Sequence, residues 1–197
     1  MTDIAPLRPR PEVLAFLSGR RSRPAKTLRA PAPDRATLAP ILSAALRVPD
    51  HGKLEPWRLV VLSGAALPRL AAMAGTRAAA LGLDPDRAAK LRAMFADAPL
   101  VVAVVSAPVA SDKVPEVEQT LSAGALCLGL CNAAQAAGWG ANWLTGAMAY
   151  DRPFLEDGLG LAAHEWVAGY VVIGTEGPVP PERPRPDPAA AVLWMDA

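Results

Sequence analysis

The sequence predicts an α+β fold in which helices pack around a central mixed β-sheet. Strand-like and helix-like segments alternate along the 197 residues, but helices outnumber strands, which is typical of the α+β class. A continuous apolar run over residues 100–105 has the length of a strand and indicates a strand buried on both faces. Hydrophobic residues make up 52% of the chain and charged residues 20%. We therefore expect a substantial core in one domain spanning residues 1–197.

The first half of the chain is predicted to hold four helices and a strand. Apolar residues at helical spacing indicate helices over residues 12–20, 35–47, 67–81 and 86–96. Asp34 offers an N-cap for the second helix, and Asp84-Pro85 suits the cap and first turn of the fourth. Residues 57–63 are rich in β-forming side chains and are bounded by Gly64, so they predict a strand.

The second half is predicted to hold a long helix over residues 116–137, a strand at 141–145, a short helix at 151–159 and a last strand at 164–174. Residues 119–150 contain no charged residue or histidine, and they are long enough to cross a bilayer. However, alanine and glycine dominate them, and Gly138 and Gly140 interrupt them. A helix that is apolar all round is more simply the buried central helix of a larger core.

The last segment, residues 175–197, is rich in proline and predicted to be extended. It nevertheless carries a run of large apolar residues near its end, Val192-Leu193-Trp194-Met195, which would be costly to leave in water. We therefore expect this tail to dock on another surface, such as a partner subunit.

Net charge, cysteine spacing and short motifs narrow the possible functions and the expected cellular compartment. A net charge of +1 gives no electrostatic footprint for nucleic acid. Cys127 and Cys131 lie four apart in an apolar segment, which suggests buried thiols in a reducing compartment. Residues 1–11 lack the apolar core of a signal peptide, so a cytoplasmic protein is expected. Gly138-x-Gly140 follows a helix and lacks the third glycine, so it is no dinucleotide fingerprint.

Three short segments carry chemistry. Arg20-Arg21-Ser22 offers two guanidinium forks and a hydroxyl, which suit a phosphate. The alternative is that these arginines only complement the C-terminal dipole of a helix, and the same applies to Arg47. The loop that follows Arg47 is stiffened by prolines and carries His51, which could be a ligand contact or an exposed loop residue. Residues 143–146 end in a glycine that permits close backbone approach, or that simply makes a turn beside packed tryptophans.

Together with residues 113–124, these segments resemble the nitroreductase family of FMN enzymes, in particular its short-chain branch. The resemblance runs from about residue 12 to residue 188. It implies an FMN-dependent oxidoreductase in which NAD(P)H passes a hydride to flavin N5, and a nitroaromatic or quinone-type acceptor then takes the electrons. It also implies a homodimer with FMN sites at the subunit interface and an extended C-terminal tail that embraces the partner.

The resemblance assigns roles to particular residues. Arg20, Arg21 and Ser22 would hold the FMN phosphate and ribityl end, while Arg47 and His51 would flank the ring, reaching the cofactor bound by the other subunit. The backbone that would pass the flavin edge is formed by Trp143, Leu144, Thr145 and Gly146, with Gly146 next to N5. The segment implied in nicotinamide contact is Gln135, Ala136, Ala137, Gly138 and Trp139. No side chain is assigned as an essential acid, base or nucleophile, because the cofactor carries the chemistry.

Two positions depart from the pattern of the family. Glu55 stands where many relatives carry an amide, and Leu144 stands where relatives often carry arginine. These departures leave room for other reactions of the same fold, namely reductive dehalogenation, enone reduction or oxygen-dependent flavin breakdown. A flavin-binding dimer without turnover is the alternative from a different class.

Overall fold

The computed structural model describes residues 6–196, and a four-stranded sheet lies at the centre of this part of the chain. The strands are β1 (Trp57–Leu62), β2 (Leu100–Ser106), β3 (Gly140–Leu144) and β4 (Trp166–Gly174), in the order β1-β2-β4-β3. The predicted α+β class is confirmed. All three pairings are antiparallel, so the prediction of a mixed sheet is wrong for the described strands.

The connections between the strands explain why no parallel pair forms. Helices α3 (Ala66–Ala80) and α4 (Pro85–Ala96) pack against each other as a hairpin, so the chain returns to the end of the sheet where β1 finished. Leu62 at the end of β1 therefore pairs with Val101 at the start of β2. Helix α5 (Glu116–Ala136) then leads to β3, which runs in the direction of β2 but is separated from it by β4.

Two of the remaining helices begin within one residue of their predicted starts, whereas the tail, for which an extended conformation is predicted, contains one further short helix. Helix α1 spans Pro11–Gly19, α2 spans Arg35–Ala45, and α6 in the tail spans Pro188–Ala191. The Asp34 carboxylate accepts a hydrogen bond from the Thr37 amide at 2.8 Å, and the Asp84 carboxylate accepts one from the Arg87 amide at 2.9 Å. The short helix predicted at 151–159 contains a π-type turn over Phe154–Gly158.

The sheet separates two apolar cores. Alternate residues of β2 point to opposite faces, so Val101 and Val105 pack with Phe95 of α4, whereas Val102 and Val104 pack with helices α2 and α5. Every residue of β2 is buried, as the apolar run predicts.

Helix α5 is buried where it faces the sheet and helix α2. Its other side exposes Val117, Leu121 and Leu128, so the prediction of a helix buried all round is wrong for the chain alone. In the described part of the chain, none of the helices combines the length and hydropathy needed to cross a membrane. Leu193 and Trp194 of the tail are also exposed, at 84% and 80%.

A buried carboxylate at the start of β4 supports a test of stability. Glu165 is 7% exposed, and its two oxygens accept hydrogen bonds from Nε and Nη2 of Arg58 at 2.6 and 2.7 Å. These bonds lower the pKa of Glu165 to about 2, against an ordinary value of 4.5. Because the folded pKa is depressed, this pair stabilises the fold above about pH 4.5, and the stabilisation is lost as the pH falls toward 2.

We expect Glu165→Gln to lower the free energy of unfolding by about 2–3 kcal/mol at neutral pH, allowing for the partial exposure of Arg58. Denaturant titrations should show the difference from the native protein shrinking toward zero near pH 2. Glu156→Gln removes an exposed ion pair with Arg152 and should change stability by less than about 0.5 kcal/mol. A difference for Glu165→Gln that does not depend on pH would contradict the ion-pair account.

Candidate functional site

Four arginines surround a small cavity between the end of α1 and the C-terminal tail. Arg20, Arg21 and Ser22 form one wall of this arginine cavity, and Arg183 and Arg185 form the other. The cavity has a volume of about 160 Å³. The structure thus brings the predicted phosphate-binding segment together with two further cations.

Arg185 is paired with Glu182 at 2.9 Å, whereas Arg20 and Arg21 each bury one guanidinium nitrogen that has no partner in the described residues. The Nε atoms of Arg20 and Arg21 are both buried, and neither has a hydrogen-bond partner within residues 6–196. Nη2 of Arg20 lies 3.4 Å from Ser22 Oγ. Buried donors without partners are costly in a folded protein, so these atoms suit an anionic ligand.

Edge strand β3 holds the backbone of residues 20–23 in place. The Arg23 amide donates to the Ala141 carbonyl at 3.0 Å, and Nδ2 of Asn142 donates to the Arg23 carbonyl at 2.8 Å. The guanidinium of Arg185 donates to the Arg20 carbonyl at 3.3 Å, which ties the tail to the same segment. These contacts fix the backbone around Arg20 and Arg21 and use neither of their guanidinium groups.

A second, mostly apolar cavity lies further along the same segment. Leu144 and Thr145 line it from the end of β3, Leu91 and Met94 line it from α4, and Lys26 reaches its rim. Its volume is about 320 Å³, which is in the range of small-molecule sites. We call it the apolar cavity.

Gly146 lies beside the apolar cavity in a backbone conformation that essentially only glycine adopts, with φ +152° and ψ −177°. Leu91 is the nearest neighbour of the space where a side chain at this position would begin. Trp143 instead packs over Gly169, and its indole N–H donates to the Ala168 carbonyl at 3.2 Å. Its indole therefore serves packing, whereas the next two residues, Leu144 and Thr145, line the cavity.

The segment predicted to contact nicotinamide reaches the other side of Arg20. Gln135, Gly138 and Trp139 line a cleft of about 250 Å³ together with Arg20. Nε2 of Gln135 is buried and has no hydrogen-bond partner in the described part of the chain. Ala136 and Ala137 are exposed at the end of α5 and do not line this cleft.

His51 lies elsewhere, beside the first turn of α5, whereas Arg47 follows the end of α2 and is next to Val48, which packs beside Gly129 of α5. Their loop contacts Glu118 and Ser122, whereas Gln135 borders the cleft beside Arg20. At about 1.5 Å per residue, α5 rises roughly 25 Å between Glu118 and Gln135. Both loop side chains are exposed. The chain alone therefore does not bring Arg47 and His51 to the arginine cavity.

Burial disfavours the thiolate form of the two cysteines of α5, Cys127 and Cys131. Burial raises the pKa of Cys127 to about 12 and that of Cys131 to about 11, the latter in spite of the nearby Arg20 charge. Both cysteines are free and buried, in agreement with the prediction from their spacing.

Sequence reasoning missed Arg183 and Arg185. Both lie in the Pro-rich tail, which was predicted only as a docking segment. A pair of arginines two residues apart in an extended segment presents both side chains on one side, which is a signal for anion binding. Only the fold, however, brings the tail back to Arg20.

The chain is similar in sequence to known proteins. The model of the nitroreductase family matches residues 17–175. YdjA of Escherichia coli K12, named as a candidate NAD(P)H nitroreductase, is 34% identical over 164 residues, which cover 83% of this chain and 88% of that protein. A candidate NAD(P)H nitroreductase of Haemophilus influenzae is 35% identical over 166 residues, with the same coverage of both chains.

Solved structures share the fold. A nitroreductase-like family protein from Bacillus cereus superposes with a TM-score of 0.79 at 20% identity, and the match covers 100% of both chains. A candidate nitroreductase from Desulfovibrio desulfuricans, solved in complex with FMN, gives a TM-score of 0.71 at 21% identity, covering 93% of this chain and 96% of the other.

Proposed function

This chain belongs to the nitroreductase family, and we propose that it is an FMN-dependent NAD(P)H oxidoreductase that reduces nitroaromatic or quinone-type acceptors. The observation that carries the proposal is the arginine cavity with its buried, unpartnered Arg20 and Arg21 Nε atoms. The names of its relatives from E. coli and H. influenzae and the FMN complex of the D. desulfuricans protein support it.

The residues present suit FMN. Arg20, Arg21 and Ser22, joined by Arg183 and Arg185, would hold a phosphate dianion through charge-assisted hydrogen bonds. The apolar cavity continues from the same segment and would take the flat ring against the backbone of residues 144–146. When bound, FMN supplies the acceptor for a hydride from NAD(P)H and the donor of electrons to the second substrate.

The protein's own residues contribute position and electrostatics. Lys26, Lys90 and Asp97 line the apolar cavity, so two cations and one carboxylate would set the charge near the ring, while Leu91 and Met94 would contact it. Leu144 makes the cavity less polar than an arginine would, whereas Glu55 lies on the distant loop. Gln135 in the cleft beside Arg20 would serve nicotinamide contact. We assign no side chain as an essential acid or base.

We further propose that the active form is a homodimer with its FMN sites at the subunit interface. Three apolar surfaces are exposed to solvent in the single chain and would be buried by a partner subunit. They are the outer side of α5, the end of the tail, and helix α1, which has no buried residue. A groove of about 800 Å³ between α2 and the sheet, lined by Leu38, Leu42 and Val61, lies beside the open edge of β1 and would receive the partner's tail. Arg47 and His51 would then reach the cofactor of the other subunit.

An anaerobic titration tests the function. The purified protein, supplied with FMN if it is colourless, is mixed stepwise with NADH or NADPH while the flavin absorption bands are followed. We expect the bands to bleach, and to return when a quinone or nitroaromatic is added. If the protein takes up no FMN, the proposed cofactor is wrong. If it binds FMN but neither NADH nor NADPH bleaches the bands, the proposed reaction is wrong and a flavin-binding dimer without turnover is favoured.

A further inference from the structure

The first half of α5 holds the loop of His51 through two side chains. Nδ1 of His51 lies 2.7 Å from Oε2 of Glu118. One helical turn further on, Ser122 Oγ donates to the Pro49 carbonyl at 2.6 Å and accepts from the Trp57 indole N–H at 2.9 Å. Residues four apart share a helix face, so one face of α5 fixes both the backbone before His51 and the ring itself.

The backbone after His51 is strained. Gly52, Lys53 and Glu55 all have positive φ values, of 74°, 55° and 47°, which is uncommon for residues other than glycine. The two carboxylate oxygens of Asp50 hold this conformation by accepting from the amides of Leu54 and Glu55 at 3.1 and 2.9 Å. Strain of this kind persists where the surrounding contacts over-determine the structure, and it concentrates at functional sites.

The contact with Glu118 selects one form of the imidazole. A carboxylate oxygen only accepts hydrogen bonds, so Nδ1 of His51 must carry the hydrogen. In a neutral ring Nε2 then keeps its lone pair. A solvated neutral histidine prefers the opposite arrangement, with the hydrogen on Nε2. The geometry therefore reverses the ordinary preference.

We propose that Glu118 is a positioning residue for His51, which fixes the orientation of the ring and its Nδ1–H tautomer so that Nε2 faces outward as an acceptor. The group that Nε2 would contact depends on the proposed function, in which His51 reaches the flavin of the other subunit. Asp50 is occupied by backbone amides. Glu118 lies in the first turn of α5, where the helix dipole favours its negative charge.

Nitrogen NMR of the imidazole rings tests the proposal without any cofactor. The chain has two histidines, so His164→Gln assigns the His51 signals. At a pH where both rings are neutral, we expect a protonated Nδ1 and an unprotonated Nε2 at His51. Glu118→Ala should restore the ordinary Nε2–H form. Glu118→Gln should give a mixture, because an amide can either accept or donate.

The matched control is Glu116→Ala, because Glu116 lies in the same turn and its side chain makes no hydrogen bond or ion pair with the other residues of 6–196. It should leave the tautomer unchanged. A native protein with Nε2–H at His51, or a Glu118→Ala variant with the native tautomer, would overturn the proposal.

A double-variant comparison in the FMN-loaded protein links the tautomer to turnover. Glu118→Ala should slow NAD(P)H oxidation several-fold in the native background and have no further effect in a His51→Gln background. Independent losses in the double variant would overturn a role through His51. Failure of the native protein to bind FMN would instead contradict the proposed function, and the NMR result would stand by itself.

Discussion

Replacing Arg20 by glutamine should weaken FMN binding by about tenfold to a hundredfold, because a charge-assisted hydrogen bond contributes roughly 1.5–3 kcal/mol. Nε of Arg20 is buried without a partner, and the residue lines the arginine cavity with Arg21, Arg183 and Arg185. Glutamine keeps a polar group of similar reach but loses the charge. Isothermal titration or quenching of flavin fluorescence would measure the change in Kd.

Riboflavin separates loss of phosphate binding from general damage, because it has the ring of FMN but no phosphate. Arg20→Gln should change riboflavin affinity by less than about threefold if Arg20 meets only the phosphate. Arg87→Gln carries the same change of charge at an exposed position on α4, where Arg87 pairs with Asp84, and should leave both affinities unchanged. Equal weakening of FMN and riboflavin by Arg20→Gln would contradict the phosphate assignment.

The secondary structure could be predicted closely because its signals are local. Asp34 and Asp84 cap their helices as expected, and the apolar run at residues 100–105 lies within a strand buried on both faces. The order and direction of the strands could not be predicted in this way. They depend on α3 and α4 folding as a hairpin and on β4 entering between β2 and β3, which are long-range events that leave no periodicity in the sequence.

In the candidate site, too, local features could be predicted and long-range contacts could not. Arg20, Arg21 and Ser22 are adjacent in sequence, so their chemistry is visible as a motif, and the structure places them around one cavity. The arginines of the tail join that cavity only because the chain returns to it after more than a hundred residues. Likewise, nothing local in the sequence shows that His51 contacts Glu118. Contacts between distant segments were therefore the part that the sequence left open.

Mixing two inactive variants should restore activity if each FMN site is built from two chains. One variant carries Arg20→Gln and Arg21→Gln in the arginine cavity, and the other carries Arg47→Gln and His51→Gln in the loop between α2 and β1. Within one chain, Glu118, which contacts His51, lies roughly 25 Å along α5 from Gln135, which borders the cleft beside Arg20, and neither Arg47 nor His51 lines the arginine cavity. In a two-fold dimer each site would combine the cavity of one subunit with the loop of the other.

A heterodimer of the two variants, isolated through two different affinity tags, would then contain one intact site and one doubly altered site. We expect it to oxidise NAD(P)H with a quinone acceptor at about half the rate of the native dimer, while each variant homodimer is nearly inactive. A dimer of the cavity variant carrying both tags controls for the purification.

A heterodimer as inactive as its parents would mean that the loop and the cavity of the same chain form the site, and an active loop variant would exclude Arg47 and His51 from it. Restored activity would instead explain why one chain exposes Arg47 and His51 outside the arginine cavity, because the surface they face would belong to the partner subunit.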